Sequence, residues 1–170
     1  IRTCSQSALL ERLTMPKKND VSVNMSNLEF ALDKIKILEF SERDPEELAV
    51  VNTPHKLEDK LEIEITAIPS TNAVNVKMSV KTISHIAAEP IQVCSLECVY
   101  KFLLKDYVKN FGDSDKVVEV VPDFVLINFL FMTIGGVRGI LVAKCKSKYL
   151  ENHILPPVDP AKILERLKST

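Results

Sequence analysis

Four stretches of the chain alternate between apolar and polar residues, which is the pattern of strands with one buried face. They are residues 28–40, 57–68, 73–84 and 91–104. The second stretch is the clearest, because Leu61, Ile63 and Ile65 alternate with Glu62 and Glu64. In the first stretch the alternation changes phase twice, which predicts a β-bulge or a bend. Short or medium connections between the stretches favour an antiparallel meander with one face buried.

After residue 105 the period of the pattern becomes helical. A long helix is predicted from Asp123 to about Tyr149, and Gly135 and Gly136 suggest a kink in it. A proline-rich crossing follows, and Asp159 is then placed to cap a short C-terminal helix. The predicted fold class is therefore α+β: a four-stranded antiparallel sheet, then a long helix, then a short C-terminal helix.

The long helix contains the most apolar segment of the chain, FVLINFLFMTIGGVRGILVAK, residues 124–144. It is long enough to span a bilayer, which needs about 20 apolar residues. Arg138, Asn128 and the glycines bring the free energy of insertion close to zero. A four-stranded sheet also needs a cover, and no other large apolar helix is predicted. We therefore predict a helix buried between the sheet and a partner subunit, with no membrane span; a membrane anchor is the alternative.

Composition and motifs exclude several classes of function. The chain has 170 residues, enough for one domain with an appendage, and a net charge of −1. A net charge so close to zero, together with the lack of a basic strip in the sequence, predicts that nucleic acid is not a partner. No phosphate-binding loop, nucleophile elbow or HExxH motif is present. We predict that the protein is not an enzyme, has no catalytic residues and needs no cofactor.

The cysteines and histidines do not form a recognisable site in the sequence. Cys94 and Cys98 have the spacing of a metal pair, but no second pair or histidine cluster accompanies them. The prediction is that the four cysteines are buried or idle thiols in a reducing compartment and that no metal is bound.

The C-terminal third resembles the bacterial export chaperone SecB and its wider family. The segment is VRGILVAKCKSKYLENHILPPVDPAKIL, residues 137–164, and two further stretches, EDKLEIEITAI and CSLECVYKF, are similar to the second and fourth strands of that family. The residues that carry the resemblance are Arg138, Leu155, Pro157, Val158, Asp159 and Leu164. It implies a SecB-like domain over residues 26–170, preceded by an N-terminal extension or linker, residues 1–25.

The resemblance implies a function in the bacterial cytoplasm. SecB-like proteins are chaperones that bind unfolded polypeptides without ATP and hold them for export, and they assemble as homotetramers, dimers of dimers. The implied peptide-binding groove comprises Leu61, Ile63, Ile65, Leu96, Cys98, Ile154, Leu155, Val158 and Leu164. The implied oligomer interface comprises Phe124, Ile127, Phe131, Ile134 and Arg138 on the long helix.

A role for the export motor SecA is left open. Glu97 matches a motor-contact position of the family, whereas other acidic positions on the first strand are replaced and the net charge is only −1. The alternative hypothesis is a dedicated interaction module of the same fold that guards one partner, such as an antitoxin.

Overall fold

The computed structural model describes residues 28–43, 57–85, 89–114, 116–147, 150 and 153–169. The extension over residues 1–25, Cys4 and the predicted helix end at Tyr149 lie outside the described residues.

The four predicted strands form one antiparallel sheet. They are β1 (Phe30–Glu42), β2 (Leu57–Ile68), β3 (Ala73–Ser84) and β4 (Ile91–Leu104). The spatial order is β1-β4-β3-β2. The predicted meander is therefore right for β2, β3 and β4 and wrong for β1, which pairs with β4. The long stretch between β1 and β2 allows this arrangement, because extended chain spans about 3.3 Å per residue and neighbouring strands lie only about 4.8 Å apart.

Two bulges in β1 confirm the predicted irregularity. The pairing with β4 shifts register between Leu32 and Lys34, and again between Ile37 and Glu39. Each extra residue reverses the alternation once, so the two phase changes in the sequence are absorbed by the backbone. As a result the apolar residues of β1 lie on the same face of the sheet as their apolar partners on β4. These β1 residues are Phe30, Leu32, Ile35, Ile37 and Phe40.

The helical part of the chain contains α1 (Tyr107–Phe111), α2 (Val117–Val120), α3 (Asp123–Lys144) and α4 (Pro160–Ser169). The two short helices α1 and α2 were not predicted. The start of α4 confirms the predicted cap, because the Asp159 carboxylate accepts a hydrogen bond from the Ala161 N–H at 3.0 Å.

The long helix α3 ends earlier than predicted. The backbone N–H groups of Lys146 and Ser147 donate to the Glu42 carboxylate, at 2.8 to 3.0 Å, instead of continuing the helical ladder. A side chain of the first strand thus decides where the helix stops.

The core lies between the sheet and α3. The Phe129 ring stacks on Phe102 with 4.2 Å between ring centroids and meets Phe30 edge to face at 5.2 Å. The helix is continuous through its glycines, and Gly136 is explained by close packing rather than by a break, since a Cβ there would lie 2.2 Å from the Tyr100 hydroxyl.

By length and composition alone, α3 could also cross a membrane, and within the described residues it is the one helix for which this holds. The core helix of a soluble protein meets the same criterion. One side of α3 is buried here against the rest of the chain through Val125, Leu126, Phe129, Leu130, Thr133, Ile134, Val137 and Leu141.

Candidate peptide-binding groove

An open apolar depression lies between β2 and α4. Its volume is about 210 Å³, and its lining residues are Leu61, Ile63, Val158, Ile163, Arg166 and Leu167. Strand alternation turns Leu61 and Ile63 to the helix side of the sheet, while Glu62 and Glu64 point to the opposite side. The depression is too small for a typical ligand pocket of about 300–1,000 Å³ and is open to solvent. It has the dimensions to receive side chains of another polypeptide.

Helical spacing explains how α4 forms one wall. Leu164 is only 2% exposed and anchors the helix to the core. Ile163 and Leu167 lie to the side of that anchor, one turn apart, and line the depression. These two residues were not among the predicted groove positions, although the apolar stripe of Ile163, Leu164 and Leu167 is visible in the sequence.

The predicted groove residues fall into three groups. Leu61, Ile63 and Val158 line the depression. Ile65, the next residue on the same face of β2, is partly buried. Ile154 is 67% exposed on the crossing. The remaining four, Leu96, Cys98, Leu155 and Leu164, are at most 3% exposed. In this conformation the buried group offers no surface to a client.

A row of four residues crosses the whole sheet near the C-terminal end of α3. Glu42, Cys94, Thr82 and Asp59 are neighbours in register, one from each strand. The Thr82 hydroxyl donates to the Asp59 carboxylate at 2.7 Å. We call these four residues the polar row. Sequence inspection missed it, because its members are far apart in the chain and only strand register aligns them.

The polar row holds the segment that leads from α3 to α4, here called the crossing segment (residues 145–159). Glu42 accepts the N–H groups of Lys146 and Ser147, and both Asp59 oxygens lie 3.0 Å from Nε2 of His153. Burial alone would raise the pKa of Glu42, but hydrogen bonds from Ser147 and Lys146 outweigh it and hold that pKa below its usual value. The polar row therefore fixes the segment that carries Val158 to the groove.

The predicted oligomer interface is divided between exposed and buried positions. Phe131 is 69% and Phe124 45% exposed, Ile127 and Arg138 are partly buried, and Ile134 is only 4% exposed. Nε of Arg138 is buried and makes no hydrogen bond to the part of the chain that the structure describes.

The apolar residues of β1 are also poorly covered. Leu32, Ile35 and Ile37 lie on the helix side of the sheet but remain 39 to 44% exposed. On the same side Phe131 and Val142 project from α3, at 69% and 63% exposure. Large apolar patches of this kind are typical of surfaces that contact a partner.

Charged residues dominate the other side of the sheet. Glu97, the predicted SecA contact, forms an ion pair with Lys77 at 3.0 Å and accepts the Ser79 hydroxyl at 3.1 Å. The hydrogen bond from Lys77 lowers the pKa of Glu97. Among the described residues there is no group of three or more His, Cys, Asp or Glu side chains that could hold a metal ion.

No family model and no curated protein matches the chain. Among solved structures, a match is found to a SecB-like chaperone from Mycobacterium tuberculosis, solved in complex with a ChAD peptide from the HigA1 antitoxin. The two chains are 14% identical, the match covers 82% of this chain and 93% of the other, and the TM-score is 0.47.

Proposed function

We propose that this protein is an ATP-independent chaperone that binds non-native polypeptides in the depression between β2 and α4. The observation that carries the proposal is that Leu61, Ile63, Val158, Ile163 and Leu167 leave an apolar cleft open to solvent instead of closing on one another. The resemblance of residues 137–164 to SecB-like proteins supports the same conclusion.

The chemistry of the cleft suits a client without fixed structure. Its walls are apolar apart from Arg166, so it can receive aliphatic or aromatic side chains without demanding one shape. Ile154, 67% exposed on the crossing segment, extends the apolar surface toward the client. Binding of this kind requires no nucleotide, because a protein that binds the unfolded state withdraws it from aggregation by mass action.

We further propose that the protein works in the cytoplasm as a dimer of dimers. Phe124 and Phe131 on α3, together with Leu32, Ile35 and Ile37 on β1, form the surface that a second copy would cover. Nε of Arg138 is buried and has no hydrogen-bond partner among the described residues, which adds a reason to expect a polar group from a neighbouring copy.

The cleft is tested most directly by a pair of substitutions. Leu167→Ser removes an apolar side chain from the cleft wall, whereas Val108→Ser removes one from α1, where it is 44% exposed and away from the cleft. Partial burial of a Leu side chain contributes about 1 kcal/mol, so client affinity should fall roughly fivefold in the first variant. The control should bind like the wild type.

The assay is light scattering by an aggregation-prone unfolded protein, mixed with the chaperone in the absence of nucleotide. The wild type and Val108→Ser should suppress scattering at stoichiometric amounts, and Leu167→Ser should need several times more. Equal suppression by all three would exclude the cleft as the binding site, and no suppression by the wild type would reject the holdase itself.

Two measurements separate the remaining hypotheses. Solution mass without detergent should correspond to four copies, and recovery only in detergent extracts would favour a membrane anchor. A pull-down that returns one stoichiometric partner would favour a dedicated module, and binding of SecA that Glu97→Gln weakens would support a role in export.

A further inference from the structure

Two thiols that are far apart in the sequence meet at the end of α3. The Sγ atoms of Cys94 on β4 and Cys145, the residue that follows α3, lie 3.8 Å apart. Both backbones are held: Cys94 belongs to the polar row, and the Cys145 N–H donates to the Leu141 carbonyl at 2.9 Å. A disulfide needs an S–S distance of about 2.05 Å, so side-chain rotation of the two cysteines has to close the remaining gap.

We propose that Cys94 and Cys145 form a reversible disulfide, and that the oxidised form ties the start of the crossing segment covalently to the sheet. Within the described residues the pair does not belong to any group of three or more side chains that could hold a metal ion. Cys98, although close in sequence, is fully buried and directs its thiol to the Met78 carbonyl at 3.9 Å.

The reaction requires an oxidant, and a small-molecule disulfide such as oxidised glutathione suffices. The Cys145 thiol loses its proton, and its sulfur attacks the small disulfide, forming a mixed disulfide and releasing one small thiolate. The Cys94 thiol then loses its proton and attacks the Cys145 sulfur, which expels the second small thiolate. The two released thiolates take up two protons. Two cysteine thiols are oxidised and one small disulfide is reduced to two thiols.

The order of attack follows from exposure and hydrogen bonding. Cys145 is partly exposed, whereas Cys94 is 2% exposed. Burial raises the pKa of both thiols, that of Cys94 to about 12, with Cys145, Glu42 and Asp59 adding to the effect. The contact with Cys94 partly offsets the rise at Cys145. Oxidation is therefore slow near neutral pH and faster in base.

The disulfide has a consequence for the groove, which rests on the proposed function. Glu42 and Asp59 already hold the crossing segment by hydrogen bonds that water can replace. Water cannot replace a covalent bond, so in the oxidised protein Cys145, the first residue of the segment, stays attached to the sheet. Because Val158 at the other end lines the cleft, oxidation should narrow the range of cleft widths that clients can use.

Formation of the bond can be tested without any client. The full chain with Cys4→Ser, which avoids links through that residue, is equilibrated in buffers of rising oxidised-to-reduced glutathione ratio and then alkylated and digested. Mass spectrometry should find a peptide in which Cys94 and Cys145 are linked, in a protein that has lost the mass of two hydrogen atoms. The initial rate of oxidation should rise nearly tenfold per pH unit between about pH 7 and 8.5.

Controls distinguish a specific tether from general oxidation. Cys145→Ser should abolish the linked peptide and Cys98→Ala should preserve it. Tryptic cleavage after Lys146 should slow severalfold in the oxidised protein and recover on reduction. If fully oxidising buffer leaves both thiols free, or links them only to glutathione, the proposal is wrong. If the tether forms but client affinity does not change, the effect on the groove is refuted while the disulfide site stands.

Discussion

Replacing Gly136 by alanine should loosen α3 from the sheet, although alanine is the better helix former. A Cβ at this position would lie 2.2 Å from the Tyr100 hydroxyl oxygen and 2.8 Å from two of its ring carbons. Carbon atoms in contact prefer about 3.5–4.0 Å, so the ring or the helix has to move. Tyr100 is 1% exposed and cannot swing into solvent.

The expected magnitude follows from two opposing terms. Replacing glycine by alanine inside a helix stabilises by about 1 kcal/mol. Overpacking a well-filled core costs about 1–3 kcal/mol, and the short contact with Tyr100 places Gly136 at the upper end of that range. Gly136→Ala should therefore lower the free energy of unfolding by about 1–2 kcal/mol, or Tm by roughly 2–8 °C.

The same helix provides a matched control. At Gly139 a Cβ meets no atom within 4 Å, so Gly139→Ala should show the helix-propensity term alone and stabilise by about 0.5–1 kcal/mol. Tyr100→Phe removes the nearest clashing atom. Because that hydroxyl makes no hydrogen bond with the described part of the chain, the single variant should change stability by less than about 1 kcal/mol.

Urea unfolding followed by circular dichroism measures all five proteins: wild type, the two alanine variants, the single variant Tyr100→Phe, and the double variant Gly136→Ala with Tyr100→Phe. Solution mass is checked for each, since Gly139 lies on the exposed side of α3. The double variant should recover at least half of the stability lost in Gly136→Ala. If Gly136→Ala is as stable as Gly139→Ala, the close contact between α3 and β4 does not exist and the packing described here is wrong.

Three further predictions concern the crossing segment and α4. Hydrogen bonds hold the pKa of Glu42 below its ordinary value near 4.5. The stabilising contribution of Glu42 is therefore present above pH 4.5 and is lost as the pH falls through the pKa of the folded state. The difference in Tm between wild type and Glu42→Gln should shrink over that range of falling pH. Asp59→Asn weakens the charge-assisted bond to His153 at a nearly buried position, so it should cost about 1–3 kcal/mol in urea unfolding and speed proteolysis of the crossing segment, and unchanged proteolysis would contradict this. Asp159→Ala removes the cap of α4 and should cost about 1 kcal/mol, whereas Asp159→Asn should largely retain it.

The strands show how far local pattern alone can reach. Alternation predicted the bounds of β2, β3 and β4 as they are observed, because each strand has one covered and one solvated face. The bulges of β1 were also visible, as changes of phase. The strand that pairs with β1 was not visible in the sequence. Alternation shows which face of a strand is apolar, but it carries no information on which strand lies beside it.

The groove was predictable in part for the same reason. Alternation placed Leu61 and Ile63 on one face of β2, and the resemblance implied that they and Val158 belong to a groove; all three line the depression. Leu96 and Cys98 belong to an apolar row of the same kind, yet they are fully buried, and residue type does not reveal which rows are covered.

The sequence by itself determined the four strands, the two longer helices, their order along the chain and the cap of α4, because these depend on residues within a few positions of one another. Only the tertiary structure decided where α3 ends, which apolar residues stay exposed and which thiols meet. Glu42 stops α3 across 104 positions of chain, and Cys94 reaches Cys145 across 51. Contacts of that range depend on strand register and helix placement, which no local pattern encodes.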